Sequence, residues 1–364
     1  MPAEYSTDPY DAVLLVSFGG PEGPDDVVPF LENVTRGRGI PRERLAEVAE
    51  HYDAFGGHSP INDQCRALVR AVEADLSEHG IHIPVYWGNR NWHPYLKDAV
   101  ERMRLDGVRR AAAFVTNAYS SYSGCRQYRE NLYDAVAVVG DGPHIDKLRH
   151  YFNHPGFVAA FVDTACEALA ELPHAVQSQA RLVFVTHSIP TAMASGSGPD
   201  GDAYVDQHRV VAESVVLGVR ERTGVAHDFE LVYCSRSGPP STPWLAPDVS
   251  EHLEDLAGDG VEAVVVVPIG FVSAHMEVIY DLDTQAAATA ERVQLAYRRA
   301  STPGVHPAFV AVVRDLLVER AAVESGRAVQ RTSVGSSPPS WDVCQAECCP
   351  NLRERRPALC ELVR

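Results

Sequence analysis

Two carboxylates four residues apart, Glu277 and Asp281, are the groups of this chain best spaced to do chemistry. On a helix they share one face, which Gln285 continues. Carboxylates so close repel each other unless a proton, a metal ion or another cation lies between them. Bulky neighbours surround the pair (His275, Met276, Val278, Ile279 and Tyr280), so the helix is expected to lie partly inside a cleft. His187 joins them, because it directly follows the apolar run Leu182 to Thr186. A histidine and a carboxylate facing one cleft can hold a divalent metal or pass protons near neutral pH. The cysteines mark a second centre. Cys65, Cys125, Cys166 and Cys234 are scattered, whereas Cys344, Cys348, Cys349 and Cys360 crowd together near the end of the sequence. That skew points to a metal or iron–sulfur site rather than to a disulfide framework.

Strands must carry these groups. Val264 to Val267 is a continuous β-branched run, read as a strand buried on both faces and stopped by Pro268 and Gly270. Asp11 to Phe18 is a second such strand, broken by Gly19-Gly20-Pro21. That turn lacks the spacing of a dinucleotide-binding loop. The second half of the chain repeats the plan of the first. Leu231 to Gly238 matches Val85 to Arg90, and Leu256 to Val266 matches Met103 to Ala113. The last two stretches each spell a helix end, an Asp-Gly-Val turn and a hydrophobic strand. Duplication predicts an α/β fold of two similar units, each a mostly parallel sheet flanked by helices, with a cleft between them. The first unit is set at 8–150 and the second, carrying the metal-site residues, at 151–324. A linker and cysteine-rich tail follow at 325–364, beginning with Ser, Gly and Pro. Parallel strands bring their C-terminal ends to one edge, so His187 and Glu277 should meet there.

The chain has 364 residues, 45% of them hydrophobic, and a net charge of −17. So acidic a surface is poorly suited to nucleic acid or an anionic bilayer. No apolar run approaches the roughly 20 residues that span a membrane. The polar, acidic start, Met1 to Tyr10, does not read as a secretory signal. The expectation is a soluble, cytoplasmic protein without membrane insertion.

Four motifs, in order, carry a resemblance: SFGGP at Ser17 to Pro21, THSIP around His187, PWLAPDV at Pro243 to Val249, and PIGFVSAHMEVIYDLD around Glu277. Together they resemble the ferrochelatase family over about Asp11 to Arg320. The resemblance implies a Rossmann-like, chelatase-type fold and an enzyme of haem biosynthesis that inserts Fe(II) into a porphyrin, releasing two protons. His187 matches the family's histidine, assigned metal binding or proton abstraction, and Glu277 its acid on the same side. Asp281 and Gln285 extend this as a path for iron or protons. Relatives often have an acid at Gln285 and an aspartate at Ala274, so an all-carboxylate relay is not expected here. Phe18 should meet the other face of the ring; some relatives have an iron-ligating tyrosine there, and a phenylalanine cannot ligate. Ser59 and Tyr128 match residues that bind propionates, with Tyr52, Arg36 and Arg38 as further candidates. Coproporphyrin III, water-soluble with four propionates, is the preferred substrate over protoporphyrin IX. A cobalt or nickel chelatase of the same fold and a non-catalytic porphyrin carrier are the rival readings. The partners implied are the porphyrin, Fe(II) and transient contacts with neighbouring haem-pathway enzymes.

The tail is similar to those of ferrochelatases that carry a 2Fe–2S cluster. Neighbouring Cys348 and Cys349 are not expected both to face one small cluster, which leaves Cys344, Cys349 and Cys360, with Cys348 in reserve. A fourth ligand must come from the body of the chain. Cys166, on a helix between the two units, is the first choice. Cys125 is the alternate, because animal relatives draw a ligand from the corresponding loop. Four thiolates would also suit zinc.

Overall fold

The computed structural model describes residues 5–37, 41–238 and 241–361. Arg38 lies outside the described residues. Among the described residues there are eight strands, β1 (Ala12–Ser17), β2 (Val85–Asn89), β3 (Arg110–Val115), β4 (His144–Lys147), β5 (Arg181–His187), β6 (Phe229–Cys234), β7 (Ala263–Val267) and β8 (Ala296–Arg299). They form two four-stranded sheets of identical plan, ordered β2-β1-β3-β4 and β6-β5-β7-β8. Every pairing is parallel. The α/β class and the duplicated design expected from the repeats are therefore present.

Sequence alternation decides which face of each strand meets which layer. Val13, Leu15, Ala112 and Phe114 of the first sheet join Leu182, Phe184, Val265 and Val267 of the second in a single apolar cluster. Helices Ile61–Glu78, Pro155–Ala170, Ala203–Thr223 and Pro307–Glu324 contribute to the same cluster. The alternate residues face outward into two smaller cores, one per sheet: Ala12, Leu14 and Val16 in the first, Val183, Val185, Val264 and Val266 in the second. The units thus share their largest core instead of each closing its own. Helices Pro24–Val34 and Arg42–Asp53 form a separate lobe, with Phe30, Leu31 and Leu45 inside it and Tyr52 and Trp92 against it.

The tail returns to the first sheet. Arg320 is buried between Asp146 of β4 (3.1 Å) and Glu324 (2.8 Å), and donates to the Asp342 carbonyl at 3.0 Å. Arg126 donates to the carbonyls of Ala346 and Arg356, which straps the tail over helix Gln127–Val139.

Candidate active site

β5 ends on His187, β6 runs into Ser235, and β7 leads through a tight turn to Glu277, so three adjacent strand ends supply one cluster. The turn requires Gly270. A Cβ there would fall 2.2 Å from Thr186 Oγ1, on the residue before His187. His187 Nδ1 hydrogen-bonds the Ser188 carbonyl, so this nitrogen carries the proton and Nε2 keeps its lone pair. Nε2 lies 3.6 Å from Glu277 Oε1. The imidazole is 33% and the carboxylate 48% exposed, so both remain open to a substrate. The Glu277 amide donates to His275 Nδ1 at 3.2 Å, and that ring stands 3.8 Å from Glu277 Oε2. Two imidazoles thus flank one carboxylate.

Electrostatics polarises the trio. Desolvation favours neutral forms, but the Glu277 carboxylate outweighs it at His187, whose pKa is raised. Desolvation likewise opposes ionisation of Glu277, yet His187 and His275 hold its pKa down at about 2. At Asp281 burial prevails over a hydrogen bond from Ser235, and with Glu277 nearby the pKa is pushed up to about 6. One carboxylate is therefore permanently charged and the next is poised to exchange a proton near neutrality. Ser235 reaches Asp281 by adopting φ +59°, a left-handed conformation uncommon outside glycine.

From the first sheet, Phe18 presents a ring 36% exposed just past β1. It stands edge-on to Phe30 at 6.3 Å, and Phe30 contacts Tyr52 and Trp92 edge-on, each at 6.1 Å. Burial raises the Tyr52 phenol pKa, and the Glu277 charge adds to it. His51 stacks on Tyr280 at 3.9 Å, joining the helical lobe to the Glu277 segment.

A ferrochelatase profile matches residues 10–321. The chain belongs to the ferrochelatase family. It is an enzyme of metal insertion into porphyrin. The coproporphyrin III ferrochelatase of Streptomyces coelicolor is 59% identical to this ferrochelatase over 367 residues, covering 98% of both chains. That of Streptomyces griseus is 58% identical over 359 residues, covering 96% of both. The ferrochelatase of Rhodopirellula baltica is 47% identical over 351 residues, again covering 96% of each. Among solved structures, SirB from Bacillus subtilis with Fe3+ superposes with a TM-score of 0.53 at 14% identity, over 86% of this chain and 97% of that one, a likeness of fold.

Two of the expected substrate contacts, Ser59 and Tyr128, are buried. Ser59 is 2% exposed, its hydroxyl packed where a Gly20 side chain would stand. Tyr128 is 4% exposed, its ring covered by the Arg90 guanidinium at 4.4 Å. Arg90 itself is half-buried, donates to Asn131 Oδ1 at 2.7 Å, and also lies 5.7 Å from the Phe18 ring. Arg36 is exposed, and Gln285 faces solvent beyond Asp281. His275, Ser235 and Arg90 were not singled out as functional by sequence reasoning. His275 carried a signal, two residues before Glu277; Ser235 and Arg90 carried only their places after strands.

The thiols regroup as well. Cys125, Cys348 and Cys349 form one buried cluster, with Cys344 and Trp341 packed against it. Cys348 and Cys349 do face the same side, their sulfurs 3.7 Å apart, because Cys349 turns the chain at φ +56°. The Gly198 amide donates to Cys349 Sγ at 3.2 Å. Cys166 is not among them: it sits on helix Pro155–Ala170 against the main core, near Asp163, Glu167 and Arg222. The tail docks instead on the loop and helix after β3. Cys360 lies outside the buried cluster, 2.6 Å from Arg129 Nη1. Among the described residues, no group of three or more His, Cys, Asp or Glu is arranged to hold a single metal ion.

Proposed function

We propose that this ferrochelatase inserts Fe(II) into coproporphyrin III in the cytoplasm, with His187 as the proton acceptor. The observation that carries the reading is the His187–Glu277 pair, Nε2 to carboxylate at 3.6 Å, with the imidazole 33% exposed. A porphyrin resting against Phe18 presents its inner N–H groups to that nitrogen. Each proton lost by the ring is taken by Nε2, and the resulting imidazolium is stabilised by the Glu277 charge. Asp281, ionised above about pH 6, accepts the proton for release to solvent along the row that ends at Gln285. Fe(II) enters as two protons leave, so charge balances. Glu277, ionised throughout, is the anionic ligand that attracts the cation.

The substrate assignment is supported by the names of the Streptomyces relatives. It is also supported by the acidic first turn of helix Pro24–Val34, with Asp25 and Asp26 where an apolar membrane-facing lip would otherwise stand. Arg90 and Arg36 are the cations offered to propionates. No helix among the described residues is long and apolar enough to cross a membrane. The porphyrin passes by transient contact from and to neighbouring haem-pathway enzymes in this reading. Anaerobic Fe(II) insertion, measured with coproporphyrin III and protoporphyrin IX side by side, tests it. Coproporphyrin is expected to turn over at least about tenfold faster, a difference of about 1.4 kcal/mol in barrier. Equal rates or the reverse order overturn the assignment.

The tail fits a 2Fe–2S cluster held by Cys125, Cys344, Cys348 and Cys349. Such a cluster takes two thiolates per iron, so it does not need three ligands converging on one ion. The buried thiols lie beside a buried cation, Arg129, which suits an anionic group. A bound cluster supplies a one-electron couple and a covalent staple between tail and body.

A further inference from the structure

Arg129 is the anomaly of the thiol corner. Its side chain is buried, yet among the described residues no carboxylate pairs with it. Its electrostatic neighbours are Cys125, Cys344, Cys360 and Cys348. Nη2 donates to the Cys348 carbonyl at 2.9 Å and Nη1 to Cys360 Sγ at 2.6 Å, but Nε has no partner. Trp341, packed on the same thiols, buries its indole N–H equally without an acceptor. Both residues line a pocket of about 50 Å³ with Cys344 and Cys360, which Asp146, Asp342 and Arg320 also border. A buried guanidinium without a counter-charge is costly, and so is each orphaned donor. Two such donors packed beside the same group of thiols suit an acceptor that is anionic and soft.

We propose that Arg129 and Trp341 are the N–H donors to the sulfurs of the iron–sulfur cluster, with Arg129 also its counter-charge. This rests on the iron–sulfur reading above. A cluster with four thiolate ligands is negative in both oxidation states, and more so after it gains an electron. A fixed cation and two donors therefore stabilise the reduced form and raise the reduction potential. The same groups explain why the tail docks here: Arg129 binds the Cys348 carbonyl directly, so the residue that tunes the site also positions a ligand.

The test is a redox titration of the purified full-length protein, followed by visible absorption, with iron and acid-labile sulfide counted in each sample. Arg129→Met should disfavour reduction at least tenfold, 59 mV for one electron. Trp341→Phe should shift the potential the same way by less, and Arg129→Lys should restore most of the loss because the charge returns. Unchanged potentials in Arg129→Met and Trp341→Phe at full iron and sulfide content overturn the proposal while the cluster stands. A wild-type protein that is colourless and lacks iron and sulfide overturns the cluster and the proposal together. If Arg129→Met fails to fold, Trp341→Phe and Arg129→Lys decide: a lowered potential in the first with near-normal potential in the second supports it, and any other pattern refutes it.

Discussion

In the proposed mechanism His187, Glu277 and Asp281 divide one proton problem among three pKa values, so each replacement has its own signature. His187→Ala should lower insertion more than tenfold, at least about 1.4 kcal/mol of barrier, while porphyrin binding by fluorescence quenching changes only a few-fold. Retained turnover would move the base elsewhere, to His275 first. Asp281 gives a pH test with a definite sign. It accepts protons only when ionised, so turnover should climb as pH rises through about 6, and Asp281→Asn should be slow and keep only the later rise set by His187. The raised pKa of Asp281 also means that the folded state binds this proton more tightly than the unfolded chain does. The ionised acid therefore weakens the fold above about pH 6, and the penalty fades as pH falls towards 4. Asp281→Asn should accordingly be more stable than the parent at pH 7, by up to about 3 kcal/mol in urea unfolding. That gain should vanish near pH 4. The spacing of Glu277 and Asp281 was legible in the sequence, because four residues is a helical repeat. The burial of Ser59 and Tyr128 was not legible, because a residue type matched to a role says nothing about how deeply its own turn is buried.

The segment expected to be an ordinary helix is a π-helix, Val278–Ala286, and a second π segment, Tyr122–Arg126, carries Cys125. Hydrophobic spacing in a short stretch does not separate the wider helix from the α form. Such segments are rare and gather at functional sites. The strands were readable because parallel strands buried on both faces must be continuously apolar, as Val264 to Val267 is. The joint between these elements is tight at Gly270. Its replacement by alanine drives a Cβ into Thr186 Oγ1, and Gly270→Ala should cost about 3 kcal/mol in urea unfolding, as overpacked sites do. A neutral result would show that the β5 and β7 ends can separate without loss.

Across the whole molecule, repeats in the sequence announced the two sheets, but not that their largest core is held in common. Helical faces such as that of Pro307–Glu324, apolar nearly all round, gave no address for the partner they would meet. Nor did the tail's composition, which reads as linker, disclose the charges that hold it: Arg320 with Asp146 and Glu324, and Arg149 with Glu319 at 2.6 Å. Arg320→Ala leaves Asp146 with Arg110, the Tyr10 hydroxyl and His144, strips Glu324 of one of its two arginines, and removes the anchor on the Asp342 carbonyl. We expect a loss of about 3–5 kcal/mol, with faster proteolysis between 327 and 361. A variant as stable and as protease-resistant as the parent would make the strap decorative.

The meeting of Cys125 with Cys344, Cys348 and Cys349 also sets a clock. More than two hundred residues separate the first of these thiols from the last. A ribosome adding about 5–20 residues per second needs on the order of ten to forty seconds to cover that stretch. Throughout that interval the loop bearing Cys125 can fold with its sheet, but its three companions do not yet exist. The site is therefore assembled after synthesis of the catalytic body, and the cell must keep an early thiol reduced while it waits.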